Sequence, residues 1–155
     1  MILIRKISPE DIQQFFLWRD ADIYIRNVLR REVMEHEEEK RVIFIALANS
    51  TIVGTVQLVP QHEDIELADG NSTAYLQSLL VDKNYRRQGI GCSLIQAVEL
   101  EAKKRSFQRL TIMVELENSA ALKLYQKMEF CFFKNSNNMW RGTQYSVSCL
   151  EKSLV

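Results

Sequence analysis

Two hydrophobic periods alternate along the chain, and their order predicts its elements. Residues 2–6 (Ile-Leu-Ile-Arg-Lys) read as a short strand. Ser8-Pro9-Glu10-Asp11 reads as a helix start, with Ser8 as N-cap, Pro9 in the first turn and acids beside the positive helix end. Ile12, Phe15, Phe16 and Arg19 continue at helical spacing, and a polar, glutamate-rich second helix is predicted over about residues 30–40. The unbroken apolar run Val42–Ala48 predicts a buried strand. Asn49-Ser50 is a turn, and residues 52–59 return as the other half of a hairpin that Pro60 ends. Residues 61–71, with Glu63, Asp64, Glu66, Asp69 and Gly70, form a polar loop before a strand over Thr73–Val81. Residues 88–105 are helical, with Leu94, Ile95, Val98 and Ala102 on one face, and Arg109–Glu115 is again a strand. Residues 118–128 carry Ala121, Leu124, Tyr125 and Met128 on one helical stripe. Residues 130–134 and 144–150 are predicted as closing strands around a polar loop, Asn135-Ser136-Asn137-Asn138.

This order has a topological consequence. The first connections between strands read as hairpins. The unit from Thr73 through the helix to Glu115 is a crossover, which makes a right-handed parallel pair. The prediction is an α/β (α+β) chain: a mixed central sheet of about seven strands, with about four helices on both faces. Residues 1–155 are expected to form one domain, and an apolar share of 46% is enough for its core.

Composition narrows the partners. The 20 basic and 20 acidic residues cancel, which argues against a nucleic-acid surface. The three cysteines, Cys92, Cys131 and Cys149, form no C-x-x-C pair, and the N-terminal apolar run is far too short for a signal segment. A reducing, cytoplasmic setting is expected. No window approaches the ~18 apolar residues of a membrane span, so no membrane partner is expected. His36 and His62 are not at ligand spacing with any cysteine, so no metal is expected.

Glycine is scarce, with five in the chain where about eleven would be average, yet Gly89 and Gly91 stand two residues apart. They sit between the strand end Leu79-Leu80-Val81 and the next helix, after Arg86-Arg87. The first amides of a helix lack intrahelical partners, the helix dipole adds positive potential, and glycine lets an anion approach the backbone. A pyrophosphate fits such a junction; a tight strand-to-helix turn that merely needs small residues fits it equally. No Gly-Lys-Ser/Thr follows, and Leu94 stands where a dinucleotide loop needs its third glycine, so neither common nucleotide loop is present.

The pattern Arg86-x-x-Gly89-x-Gly91 after that strand resembles motif A of the GNAT superfamily of N-acetyltransferases. Asn118-x-x-Ala121-x-x-Leu124-Tyr125-x-Lys127-x-x-Phe130 resembles the family's motif B. Element order matches the GNAT fold over essentially the whole chain. The resemblance implies that the parallel pair is splayed and that acetyl-CoA is the co-substrate. It also implies a primary amine, of a small molecule or a protein, as acceptor, attacking the thioester directly. The diphosphate would rest on backbone amides of Arg87, Gln88, Gly89, Ile90, Gly91 and Cys92, with Arg86 more often structural than a ligand. The pantetheine arm would pair with the backbone of Leu79, Leu80 and Val81. Asn118 would reach the CoA arm, besides its ordinary use as a helix N-cap. Tyr125 would protonate the departing thiolate as general acid, although its stripe also suits a core tyrosine. The amide of Val81 or Leu80 would stabilise the oxyanion.

The general base stays open. The family's glutamate positions fall here on Met113 and near Tyr75, leaving Glu115 at the strand end, or the acidic residues 63–69 acting through water. The family's helix-ending glycine is replaced by Glu129, which puts the local turn in question. The acceptor site would draw on residues 18–33 and 135–142. Trp18, Arg19, Tyr24, Arg26, Arg30 and Arg31 suit an acidic or aromatic acceptor, whereas the acidic residues 63–69 suit a cationic one. Two other readings remain: a non-catalytic CoA-binding sensor or partner-binding domain on the same scaffold, and a binder of another nucleotide. The resemblance is compatible with a homodimer, which the residues do not themselves reveal.

Overall fold

The computed structural model describes residues 1–19 and 22–155. The elements are β1 (Ile2–Lys6), α1 (Ile12–Trp18), α2 (Ile23–Glu37), β2 (Val42–Ala48), β3 (Thr51–Val59), β4 (Thr73–Val81), α3 (Ile90–Lys104), β5 (Arg109–Glu115), α4 (Ser119–Lys127), β6 (Cys131–Trp140) and β7 (Thr143–Ser153). Seven strands form one mixed sheet in the order β1-β2-β3-β4-β5-β7-β6. Every neighbouring pair is antiparallel except β4–β5.

Both faces are covered, which is why β2 reads as one continuous apolar run. α3 and α4 bury Leu94, Ile95, Val98 and Tyr125 against Phe44, Val56, Leu76, Leu110 and Ile112. On the opposite face, Phe15 of α1 and Leu29 and Val33 of α2 bury Ile43, Ile45, Leu47 and Ile52. A smaller cluster of Val59, Leu67, Ala68, Tyr75, Val147 and Cys149 seals the space beneath the 61–71 loop. Gly54 on β3 is required for close approach: a Cβ there would stand 3.1 Å from the Leu80 carbonyl oxygen and 3.2 Å from Leu94 Cδ1.

Three sequence expectations need correction. α2 begins at Ile23, not near Arg30. Asp22 is its N-cap, the carboxylate accepting from Ile25 N at 2.9 Å, and its first turn faces solvent, so no apolar stripe announces it. β1 and β2 are antiparallel neighbours, but their connection carries α1 and α2 and is not a hairpin. Residues 135–138 are not a loop. They continue β6, and the chain turns at Arg141-Gly142, where both residues have positive φ (50° and 79°) as a two-residue hairpin requires. β6 is a sheet edge largely exposed along its length, so polar residues are tolerated there and the usual alternation is absent.

Candidate active site

The parallel pair holds only at Thr73–Arg109, Ala74–Leu110 and Tyr75–Thr111, and then the strands part. A bulge sharpens the parting. Thr55 pairs with Leu80 but Gln57 with Gln77, so β4 carries one extra residue, and Ser78 takes φ 57°. Backbone direction beyond the bulge follows from one bond. Asp82 N donates to Val53 O at 2.8 Å, so Asp82 and, by alternation, Leu80 face β3. Leu79 and Val81 therefore turn their N–H and C=O into the gap left by β5. Leu80, expected from the sequence to offer its backbone to the pantetheine arm and its amide to the oxyanion, is instead paired with Thr55 of β3 and turned away from the gap, which passes the oxyanion role to Leu79 or Val81. The side chains of Leu79 and Val81 pack on the α3 core, while Leu80 points to the other face and is exposed.

The β4–α3 junction lies at the mouth of this gap. Asp82 caps a short 3-10 turn over Lys83–Tyr85, accepting from Asn84 N at 2.9 Å. Arg86 Nε donates to Val81 O at 3.2 Å, so this side chain braces the loop. Arg87 (φ 64°) and Gly89 (φ 79°) are left-handed, and Ile90 starts α3. The first α3 ladder bond runs from Ser93 N to Gly89 O, so the amides of Gly89, Ile90, Gly91 and Cys92 have no intrahelical partner. Gln88 is exposed on the same loop.

α4 flanks this helix start. A Cβ on Gly91 would lie 3.4 Å from Leu124 Cδ2. Asn118 is the N-cap of α4, its side chain accepting from Ala121 N at 3.1 Å. Tyr125 is buried, and burial pushes its phenol above the ordinary value. The helix keeps the usual left-handed ending although glutamate replaces glycine. Glu129 sits at φ 75°, Phe130 N donates to Tyr125 O (2.9 Å) and Glu129 N to Gln126 O (3.0 Å). That ending lays Phe130 edge-on against Tyr125, with ring centroids 5.9 Å apart.

The opposite face of β4 holds side chains that sequence spacing did not single out. Arg41 is buried and gathers four partners: Gln57 Oε1 (2.6 Å), Gln77 Oε1 (2.8 Å), Glu35 Oε1 (2.9 Å) and Glu32 Oε2 at 3.7 Å. Gln57 Nε2 donates to Glu32 Oε1 at 3.0 Å. Sequence separations of 16 to 36 residues between Arg41 and the two glutamines hide this cluster from local pattern reading. Tyr75, the last β4 residue paired with β5, is buried against His62, and burial raises its phenol too. Arg19, at the end of α1, has a buried Nη1 with no hydrogen-bond partner among the described residues. The remainder of the acceptor segment lies on α2, apart from Asp20 and Ala21, which fall outside the described residues. The hairpin tip reaches that helix: Arg141 Nη2 binds Asp22 Oδ2 at 2.8 Å, and Tyr24 meets Trp140 edge-on at 5.6 Å.

Base candidates are weakened by their partners. Lys134 Nζ holds Asp64 at 2.6 Å and Glu66 at 3.0 Å, and lowers the Asp64 carboxyl. Asp69 is held far below the ordinary range by the amides of Thr73, Asn71 and Ser72, which close its own turn. Glu115 is exposed at the end of β5. Among the described residues no group of His, Cys, Asp and Glu converges as a metal site, and no helix is long and apolar enough to cross a membrane.

The sequence pattern of the acetyltransferase (GNAT) family matches residues 6–130. The N-alpha-acetyltransferase 30 of Schizosaccharomyces pombe is 32% identical over 91 residues, covering 59% of this chain and 58% of that protein. The ribosomal protein bS18 alanine N-acetyltransferase of Escherichia coli is 37% identical over 57 residues, 37% of this chain and 38% of its own length. The matches thus span less than two thirds of these relatives. An N-acetyltransferase structure from Staphylococcus aureus Mu50 superposes with a TM-score of 0.80 at 20% identity, covering 100% of this chain and 99% of that one. A GNAT acetyltransferase from Elizabethkingia anophelis with acetyl-CoA bound gives 0.68 at 19% identity, with 98% and 97% covered.

Proposed function

The chain belongs to the GNAT acetyltransferase family, and from that premise we propose that it transfers the acetyl group of acetyl-CoA to a primary amine, with an α-amino terminus of a protein as the preferred acceptor. The parting of β4 and β5 carries this reading. It leaves both backbone groups of Leu79 and the N–H of Val81 free, the Val81 carbonyl being held by Arg86, beside the open amides at the start of α3: strand groups for the pantetheine arm and a cradle for the diphosphate. The names of the relatives, which include protein α-amine acetyltransferases, support the acceptor class.

The reaction is direct. The neutral amine forms the C–N bond at the thioester carbonyl, the oxyanion rests on the amide of Leu79 or Val81, and the C–S bond then breaks. The nitrogen gives its extra proton to water, and the Tyr125 hydroxyl donates to the departing sulfur. The paired or capped carboxylates near the site favour an α-amine on physical grounds. With a pKa of about 8 it is roughly a quarter neutral at pH 7.5, against about a thousandth for a lysine of pKa about 10.4. An acceptor that arrives deprotonated needs no strong base.

A screen of peptide, lysine and small-molecule amines read by thiol release tests the function. Peptide α-amines are expected to lead, with kcat/KM rising with pH, half-maximal near pH 8 and levelling above about pH 9 as the amine deprotonates. Because burial raises the Tyr125 phenol, that group stays protonated throughout this range. Tyr125→Phe should lower kcat about 100-fold with acetyl-CoA affinity by calorimetry unchanged. Tight acetyl-CoA binding without thiol release from any amine would instead make the chain a CoA-binding sensor.

A further inference from the structure

The acceptor face presents a charge conflict in the sequence: arginines just after α1 and on α2, acids on the 61–71 loop. The fold resolves it. Asp64 and Glu66 share Lys134, which offsets one of their two charges, and Asp69 is consumed by its own turn. Asp22 is taken by Arg141 and by the start of α2. Arg41 is fully engaged in the buried cluster. Arg19 differs. Its Nη1 is buried without a hydrogen-bond partner among the described residues. Glu32, the acid whose charge acts on it, is already bonded to Gln57 and lies beside Arg41. Burial works against its charge. A buried donor left unpaired is costly, and a guanidinium matches a carboxylate through two parallel bonds.

The surroundings of Arg19 point outward to the reaction site. Arg19 lines an open cavity of about 380 Å³ with Trp18, Leu80, Val81, Lys83 and Arg86. Val81 is a residue whose backbone turns into the β4–β5 gap, so the cavity adjoins the place of acetyl transfer. Its one carboxylate, Asp82, is occupied in capping the 3-10 turn. The wall is therefore cationic, with an apolar patch from Trp18 and Leu80.

We propose that Arg19 determines acceptor specificity by binding a side-chain carboxylate of the acceptor, as in a peptide N-terminus with an acidic side chain or a free acidic amino acid. This rests on the N-acetyltransferase reading, and the experiment separates the two. Thiol release is measured with peptides that differ only by glutamate or glutamine at the second position, and with free glutamate and glutamine as acceptors. Each is assayed with wild type, Arg19→Gln and Arg19→Lys, whose thermal midpoints and acetyl-CoA affinities are also measured. The wild type should favour the glutamate member of one pair about tenfold in kcat/KM. Preference in the peptides assigns the contact to a chain end; preference only in the free pair assigns it to an amino acid. Arg19→Gln should erase the preference while keeping turnover of the glutamine member and acetyl-CoA affinity, and Arg19→Lys should restore part of it. Turnover without discrimination, or discrimination that survives Arg19→Gln, overturns the assignment and leaves the transferase reading standing. Weakened acetyl-CoA binding in Arg19→Gln gives the cavity to the cofactor and also overturns it. No turnover of any amine removes both.

Discussion

On the cofactor side of the β4–β5 parting, nearly every candidate contact is a backbone group: the N–H and C=O of Leu79, the N–H of Val81 and the four open amides from Gly89 to Cys92. Apart from the buried Tyr125, the side chains there pack on the core, are exposed or serve the loop itself, as Arg86 does in bracing Val81 O. On the acceptor side the materials are reversed. Buried side chains from α1, α2, β2, β3 and β4 converge, and Arg41 alone holds residues of three of these elements. A site made of main chain depends on local geometry and on the absence of Cβ atoms. A site made of buried charge depends on every partner being present.

Removing Arg41 is the most severe way to break that contrast. Arg41→Ala would leave Glu32 and Gln57 buried without their cation, which costs about 3–5 kcal/mol in denaturant unfolding. Arg86→Ala, on the cofactor side, removes one exposed hydrogen bond and should cost about 1 kcal/mol or less. Equal losses in the two variants would mean that the acceptor side is not held by its charge cluster.

Gly89 sharpens the comparison from the other side. Gly89 and Gly142 share φ 79°, and a Cβ at either would meet nothing within 4 Å. Alanine should therefore cost each position about 1–2 kcal/mol of left-handed strain. Only Gly89 stands among open amides. Gly89→Ala should weaken acetyl-CoA binding about tenfold, close to 1.4 kcal/mol, whereas Gly142→Ala at the β6–β7 turn should leave calorimetric affinity unchanged. Parallel losses of affinity would show that the glycine acts through stability and not through room for an anion.

This difference in materials governs what could be read in advance. The strand bounds Val42–Ala48, Thr73–Val81 and Arg109–Glu115 match their hydrophobic runs, because these central strands are covered on both faces. The Gly89–Gly91 spacing and the Asn118 cap are local, so they were legible too. Ser78 and its bulge gave no signal, since nothing in Gln77-Ser78-Leu79 distinguishes a left-handed residue from a regular strand. Arg19 stands among the acceptor candidates of the sequence, but its unpartnered Nη1, like the Arg41 cluster, depends on contacts between distant segments. β6 was misread as a loop at residues 135–138 because an exposed edge imposes no alternation.

The smallest predicted effect concerns scarcity of glycine itself. Three helices end in the same motif, with Glu39 (φ 62°), Ser106 (φ 70°) and Glu129 (φ 75°) in the left-handed position. Each is followed by the paired bonds of that ending: Lys40 N to Glu35 O, Phe107 N to Ala102 O and Phe130 N to Tyr125 O. A non-glycine residue pays about 1 kcal/mol in this region, and glycine returns part of that through its freer unfolded chain. Glu129→Gly should therefore stabilise the protein by about 0.5–1 kcal/mol, a rise of about 1–4 °C in thermal midpoint. Phe130 would stay against Tyr125, because the same backbone bonds hold it, so turnover should not change. A higher midpoint with unchanged thiol release makes Glu129 a tolerated strain. A higher midpoint with reduced release would give its carboxylate a part in the chemistry.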